Sequence, residues 1–263
     1  MNHPELVLSN TTSFFSGNIE NLFKNARKYG FHYIEIVPYR WIKPEQILSL
    51  QNRYGVKVAG IHLPTVWSET LMKTIKEKPG LFEQFFAVVF NFYLGKAKYS
   101  PGMDIARTLA DQRPYLLIHS NVVKELSAEF EPIAKEFHTV AENIPRVYGH
   151  DPLLWDPVTI QNQLVPRGLK GLVFDVGHYN QTMQDLPELN LFEMYQQIAP
   201  EVIHISYNSL LIHLLPNKKE QEDLKKLLQI HQPKYITIET NPLISIKKGK
   251  LLLEKIIEES NSA

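Results

Sequence analysis

Residues 172–178 read Leu-Val-Phe-Asp-Val-Gly-His, an apolar run that stops at a carboxylate. A similar run at residues 115–119, Tyr-Leu-Leu-Ile-His, stops at a histidine. Short runs of apolar and β-branched residues are typical of buried strands. Asp175 and His119 therefore mark points at which the chain is expected to leave a strand.

Six further runs of this kind occur along the chain, and helical, charged stretches separate them. This alternation predicts βαβ units around a parallel sheet. Eight strands close a barrel, and 263 residues match the roughly 250 that one such barrel needs. We therefore expect an α/β fold, a single (β/α)8 barrel domain over residues 1–263. The eight predicted strands are Leu6–Ser9, Tyr33–Val37, Lys57–His62, Tyr115–His119, Thr139–Glu142, Leu172–Asp175, Val202–Ile205 and Tyr235–Glu239.

Helix signals support this arrangement. Gly30 and Gly55 follow amphipathic stretches and are suited to the left-handed conformation at a helix C-cap. Pro233 follows another such stretch, where a helix cannot continue. The helices expected from these signals are Asn18–Tyr29, Lys43–Tyr54 and Lys218–His231.

The connection between the third and fourth strands, about residues 65–113, is longer than one βα unit requires. Its aromatic-rich segment Leu81–Leu94 predicts an inserted helix that covers the barrel. An active-site lid and a dimer surface are the alternatives. The segment also contains Glu83, Gln84 and Asn91, so it is not an uninterrupted apolar span of the length that crosses a membrane.

Composition narrows the classes of function. Lys plus Arg and Asp plus Glu both number 28, and this balance disfavours a polyanionic partner such as nucleic acid. The absence of cysteine leaves His, Asp and Glu as the residues that could hold a metal. Met1–Leu8 does not resemble a signal peptide, which predicts a cytoplasmic protein without a membrane anchor.

Metal-ligand residue types occur at or near the ends of six predicted strands, and in this fold those ends meet at the mouth where active sites lie. One such residue more often bonds to a loop backbone than to a metal. Three converging carboxylates, however, would repel one another in a buried pocket unless a cation or shared protons offset their charge. A divalent ion is favoured over a purely structural network. The six residues are His62, His119, Glu142, Asp175, His204 and Glu239.

Four segments resemble the signature strand ends of the xylose-isomerase-like barrel superfamily, which includes sugar isomerases, epimerases and endonuclease IV. The resemblance implies that Glu142, Asp175, His204 and Glu239 are the ligands of a central metal, often manganese or zinc. It also implies that Glu142 and Glu239 form an acid/base pair and that His178 contacts substrate. The segments are Ala141-Glu142-Asn143-Ile144-Pro145, Phe174-Asp175-Val176-Gly177-His178, Val202-Ile203-His204-Ile205-Ser206 and Ile238-Glu239-Thr240-Asn241-Pro242.

The endonuclease branch of this superfamily places additional zinc ions on histidines that match His62, His119, His178 and His213. Its third zinc needs an aspartate at the position of Leu211, which cannot bind a metal. The epimerase branch is also matched incompletely. The arginine expected shortly after His204 is replaced by the apolar run Leu210-Leu211-Ile212. A second metal site on His62, His119 and His213 is left open.

Arg40 and Trp41 follow the second strand and could offer a cation and a stacking face to a sugar, a phosphate or a base. A packed Trp41 and a solvent-exposed Arg40 are an equally good interpretation. The remaining histidines lie away from the predicted mouth and are interpreted as structural or surface residues. They are His3, His32, His138, His150 and His231.

The sequence favours a metal-dependent isomerase or epimerase acting on a small sugar, sugar phosphate or related polyol. Manganese or zinc is the expected ion, with magnesium as a further option, and no organic cofactor is expected. The first alternative is an endonuclease IV-like phosphodiesterase, and the second is a non-catalytic ligand-binding barrel. The expected partner is a carbohydrate-like small molecule, and a homo-oligomer is left open.

Overall fold

The computed structural model describes residues 3–10, 12, 18–38, 41–63, 99–120, 130–207, 214–240 and 244–262. Eight strands pair in parallel in chain order, and β1 pairs with β8, which closes the barrel. The predicted eight-stranded fold is therefore confirmed. The strands are β1 Glu5–Ser9, β2 Tyr33–Ile36, β3 Lys57–His62, β4 Tyr115–His119, β5 His138–Glu142, β6 Gly171–Asp175, β7 Val202–Ile205 and β8 Tyr235–Ile238.

Helices connect the strands on the outside of the barrel. In the described residues they are α1 Ile19–Tyr29, α2 Pro44–Tyr54, α3 Ser100–Thr108, α4 Phe130–Glu136, α5 Pro152–Trp155, α6 Pro157–Leu164, α7 Val176–Asp185, α8 Leu191–Ile198, α9 Lys218–Ile230 and α10 Ile246–Asn261. The connection between β3 and β4 includes α3. The predicted helix over Leu81–Leu94 lies outside the described residues.

The predicted helix ends were right to within one residue. Gly30 and Gly55 adopt φ values of 73° and 64°, and their N–H groups bond to the last turns of α1 and α2. Asn18 and Lys43 are N-cap residues rather than helical residues. His231 is the C-cap of α9, because its extended backbone does not continue the helix.

Two strand ends differ from the prediction. Glu239 lies just beyond β8, although its N–H still donates to the Ile205 carbonyl at 3.3 Å. Val37 lies beyond β2, because its N–H donates 2.8 Å to Asn10 Oδ1 and not to a neighbouring strand. The strands β1, β5 and β6 each begin one residue earlier than predicted.

Alternate residues of each strand point to opposite faces, which gives the barrel an interior different from its exterior. The outer face packs against the helices in a large apolar core. The lower interior is filled by a second apolar cluster, and the upper interior carries polar residues. The interior cluster comprises Val7, Ala59, Tyr115, Leu117, Val140, Val173, Val202 and Tyr235, with Tyr33 packed against it.

Tyr115 is the bulkiest side chain fully buried in this interior cluster, and the adjacent strand leaves space for it. A Cβ atom on Gly60 would lie 2.1 Å from the Tyr115 ring, so only glycine fits there without displacing the ring. The Tyr115 hydroxyl points up toward the polar layer, where it donates 2.6 Å to Glu35 Oε2.

In the described residues, no helix is both long enough and apolar enough to span a bilayer.

Candidate metal centre

The carboxyl ends of four strands bring together the four residues that the sequence singled out as ligands of one ion. Glu142, Asp175, His204 and Glu239 each place one potential ligand atom within 4.8 Å of the others. All four residues are buried, with Glu239 the most exposed at 6%. The parallel register explains the convergence, because Asp175 pairs with His204 across β6 and β7.

Glu142 lies at the centre of the cluster. Its Oε1 lies 2.7 Å from Nδ1 of His204, and its Oε2 lies 2.8 Å from Nε2 of His119 and 3.6 Å from Nε2 of His62. Despite these short distances, neither carboxylate oxygen has a hydrogen-bond partner with good geometry among the described residues. A buried acceptor left in this state costs about 1–3 kcal/mol, or more when charged. A cation between the carboxylate and the imidazoles would satisfy these atoms.

His204 is fully buried and connects the centre of the cluster to the polar layer below it. Its Nε2 lies 3.0 Å from Glu35 Oε2, with hydrogen-bond geometry. Its Nδ1 faces Oε1 of Glu142 at 2.7 Å and Oε2 of Glu239 at 3.4 Å, and it has no hydrogen bond to a described residue. The ring is therefore held through Nε2, and its Nδ1 faces two carboxylates.

Asp175 is held in place from three sides. The Ser206 hydroxyl donates 2.5 Å to Oδ2, and the backbone N–H of His178 donates 2.7 Å to Oδ1, which makes Asp175 the N-cap of α7. The side chain of Asn143 bonds to both backbone groups of Asp175, at 3.0 Å to its N–H and 3.2 Å to its carbonyl. These bonds fix the orientation of a potential ligand at the point where β6 becomes α7.

His62 and His119 form a second group with Glu142. The Nδ1 of His62 donates 2.9 Å to the Leu63 carbonyl, so its Nε2 is directed at the cluster. The two Nε2 atoms lie 3.2 Å apart. Imidazoles held through one nitrogen by a backbone carbonyl are common in metal sites, so His62 suits a second cation that His119 and Glu142 would share.

The pKa values of two carboxyl groups in the cluster are shifted in opposite directions. Burial disfavours the Glu142 carboxylate, but the facing histidines, His204 foremost, hold its pKa well below the usual range. Burial together with the charge of Glu142 raises the pKa of Asp175 to about 8. The two carboxyl groups thus divide into one that stays ionised and one that retains a proton at neutral pH.

The facing carboxylates raise the pKa values of two histidines, His62 and His204, against the effect of burial. Burial lowers the pKa of His62, yet the adjacent Glu142 outweighs it and raises the pKa to about 9. Burial also opposes the charge on His204, but Glu35, Glu142 and Glu239 together raise its pKa well above the usual value. Without an ion, protons therefore balance the carboxylates, and a cation that binds here must displace some of them.

Of the other residues that the sequence analysis named, the structure describes some and not others. His178 lies in the first turn of α7 beside Asp175, with its Nδ1 donating 2.9 Å to the Asn143 carbonyl. Trp41 lies in the turn before α2 and is 41% exposed. Arg40, Leu211 and His213 lie outside the described residues. Among the histidines interpreted as structural, His138 bonds to Glu201 at 2.8 Å at the start of β5, away from the cluster.

Sequence reasoning missed Glu35, which is fully buried on β2 and contacts His204. A signal was present. Glu35 interrupts an otherwise apolar strand and has the same inward parity as Tyr33. Glu35 lies one residue before the end of β2, as His204 does in β7, but none of the four segments that carry the family resemblance includes it. The supporting roles of Asn143 and Ser206 were missed as well, since neither residue type stands out in a sequence.

The sequence matches no family model and no curated protein. The structure is similar to AP endonuclease family 2 from Brucella melitensis, with 10% identity and a TM-score of 0.59 over 96% of this chain and 98% of that one. It is also similar to 3-keto-D-glucoside 4-epimerase from E. coli, with 13% identity and a TM-score of 0.57 over 99% and 100% of the two chains. D-psicose 3-epimerase from Clostridium cellulolyticum H10 gives 12% identity and a TM-score of 0.56 over 97% and 95%.

These similarities extend over nearly the whole length of each chain, so they concern the entire barrel and not one motif. They define the class of fold. The chain has the closed (β/α)8 barrel that its alternating strand and helix segments predicted, with a buried cluster of histidines and carboxylates at the carboxyl ends of its strands.

Proposed function

We propose that the chain is a divalent-metal-dependent isomerase or epimerase acting on a small sugar, sugar phosphate or related polyol. One observation carries the proposal. Glu142, Asp175, His204 and Glu239 converge within 4.8 Å, and the facing atoms of Glu142 and His204 have no hydrogen bonds among the described residues. A bound cation would satisfy these buried groups better than they satisfy one another.

In this proposal the four residues hold a single ion, and the mixture of one imidazole and three carboxylates suits manganese or zinc, with magnesium less well matched. When bound, the ion polarises a carbonyl and the neighbouring hydroxyl of the substrate. No organic cofactor is required for the proposed chemistry.

Glu142 and Glu239 are proposed as the acid/base pair. They project from β5 and from just beyond β8, and both face Nδ1 of His204, at 2.7 and 3.4 Å. One carboxylate removes a proton from the carbon next to the carbonyl, and the same or the other carboxylate returns it. Burial raises the pKa of Glu142, but the facing histidines, His204 foremost, hold it well below the usual range, so the carboxylate is ionised at neutral pH, as a base must be.

A carbohydrate-like substrate is proposed on two grounds. Two of the structural neighbours are named as sugar epimerases. The partly exposed Trp41 offers an apolar face, and His178 offers a polar ring beside Asp175. We keep Arg40 in the proposed substrate site as well, on the sequence pattern alone.

Solvent exchange tests the proposal. The protein, loaded with Mn²⁺ or Zn²⁺, is incubated in deuterated water with a panel of ketoses, aldoses and their phosphates, and each sugar is analysed by mass spectrometry. We expect deuterium on carbon in at least one sugar and its loss in Glu239→Gln. Glu222→Gln, an exposed change on α9, is the matched control. Metal-dependent turnover of a sugar without deuterium incorporation would contradict the proton-transfer mechanism.

A metal-dependent phosphodiesterase is the second candidate, and the pairing of His62 and His119 with Glu142 favours it. Two cations sharing a carboxylate are typical of phosphoryl hydrolysis. An abasic-site oligonucleotide included in the same assay separates the candidates. Metal-dependent cleavage without deuterium incorporation into any sugar would favour this second function.

A further inference from the structure

Glu35 occupies a position that a barrel interior rarely gives to a carboxylate. It lies on β2 with no exposure to solvent. Its Oε2 accepts a hydrogen bond from the Tyr115 hydroxyl at 2.6 Å and lies 3.0 Å from Nε2 of His204, with hydrogen-bond geometry. Buried charges are costly unless they are paired, so a carboxylate here requires a reason.

The contact with His204 determines what that ring can do. Because Oε2 of Glu35 already accepts the Tyr115 hydroxyl proton, it also meets Nε2 of His204 as an acceptor, and the proton in that contact is on Nε2. In the neutral ring, the lone pair is then on Nδ1. That atom lies 2.7 Å from Oε1 of Glu142 and 3.4 Å from Oε2 of Glu239, inside the proposed metal centre.

We infer that Glu35 is a positioning residue that holds His204 in the Nε2–H tautomer, so that Nδ1 is presented to a divalent cation. The inference rests on the proposed metal centre and extends it to a residue that does not touch the ion. Carboxylates that bond to the remote nitrogen of a ligating histidine fix the ring and increase its basicity.

The support for Glu35 extends further down the barrel. The Tyr115 hydroxyl, which donates to Glu35, also lies 3.4 Å from Thr237 Oγ1. The Tyr115 ring fills the space above Gly60, where a Cβ would approach it to 2.1 Å. The carboxylate is therefore held from below by a rigid aromatic side chain, which restricts its movement away from His204.

Cobalt binding tests this role apart from catalysis. Binding of Co²⁺ is measured by calorimetry for the wild-type chain, Glu35→Gln and Tyr115→Phe, and the visible spectrum of each cobalt complex is recorded. A glutamine amide can either donate or accept, so it no longer specifies the tautomer. We expect Glu35→Gln to weaken Co²⁺ binding about 10- to 100-fold, the range for loss of such a supporting partner, and to alter the cobalt spectrum.

Tyr115→Phe keeps the carboxylate on His204 and removes only its lower hydrogen bond, so it should weaken binding less and in the same direction. It also keeps the test valid if Glu35→Gln fails to fold. Equal Co²⁺ affinity and an unchanged spectrum in a folded Glu35→Gln would overturn the inference while leaving the metal centre intact. If Glu35→Gln does not fold, an unchanged affinity and spectrum in Tyr115→Phe would overturn it. If the wild-type chain does not bind Co²⁺, both the metal centre and this inference are wrong.

Discussion

Nδ1 of His204 on β7 and Oε1 of Glu142 on β5 lie 2.7 Å apart, without a hydrogen bond between them. Two such groups at this distance either share a proton or bind the same cation. The first prediction follows from the second possibility. Adding Mn²⁺ or Zn²⁺ at 100 times the dissociation constant should stabilise the wild-type chain by about 2.7 kcal/mol. Glu142→Gln should remove this gain, measured by thermal unfolding with and without metal.

Glu222→Gln is the control for that prediction, because it removes a carboxylate from the exposed face of α9. Its metal-induced stabilisation should equal that of the wild type. An equal rise in Glu142→Gln would mean that the metal binds elsewhere.

The second prediction concerns pH. The Asp175 carboxyl, with a pKa raised to about 8 by burial and Glu142, retains its proton at neutral pH. A cation needs the ionised form, so binding at pH 7 should release protons and the apparent affinity should rise between about pH 6 and pH 8. Calorimetry in buffers of different ionisation enthalpy measures the released protons. An affinity that stays flat over this range would contradict the assignment of Asp175 as a ligand.

The third prediction concerns Asn143, whose side chain bonds to both backbone groups of Asp175. Asn143→Ala leaves a buried N–H without its partner, which should lower the free energy of unfolding by about 1–3 kcal/mol. Urea unfolding of the metal-free protein measures it. Asn52→Ala, an exposed change on α2, should have an effect within about 0.5 kcal/mol. Similar values for both variants would show that the Asn143 bonds contribute nothing.

The fourth prediction concerns Gly177, in the first turn of α7. A Cβ there would lie 1.4 Å from the Ser206 carbonyl oxygen, so alanine requires the backbone of α7 or of the segment after β7 to move. Because Ser206 also bonds to Asp175, Gly177→Ala should reduce both stability and metal affinity. Gly249→Ala in α10 is the matched control, since its Cβ would meet two side-chain methyl groups, Leu215 Cδ2 at 3.2 Å and Ile238 Cγ2 at an ordinary 3.9 Å, and no backbone atom of another element within 4 Å. Comparable losses in the two variants would contradict this explanation.

Local sequence patterns determined much of this fold. The bounds of β3, β4 and β7 follow directly from their apolar runs, and the four proposed ligands were identified because each lies at or near the end of such a run. Glu35 was not identified, because its role depends on a histidine 169 positions away. A carboxylate within an apolar strand marks the position, but its pairing with His204 is created by barrel closure and leaves no local signature. Arg40, His213 and the segment Leu81–Leu94 stay predictions.

The apolar cluster around Tyr115 and Val202 closes the barrel beneath the polar layer. Among the described residues, this cluster separates the polar layer from the opposite end of the barrel. In the proposed isomerase, substrate and product would therefore bind to the same single site above the cluster. Two isomers that bind to one site exclude each other, so product should inhibit the forward reaction competitively.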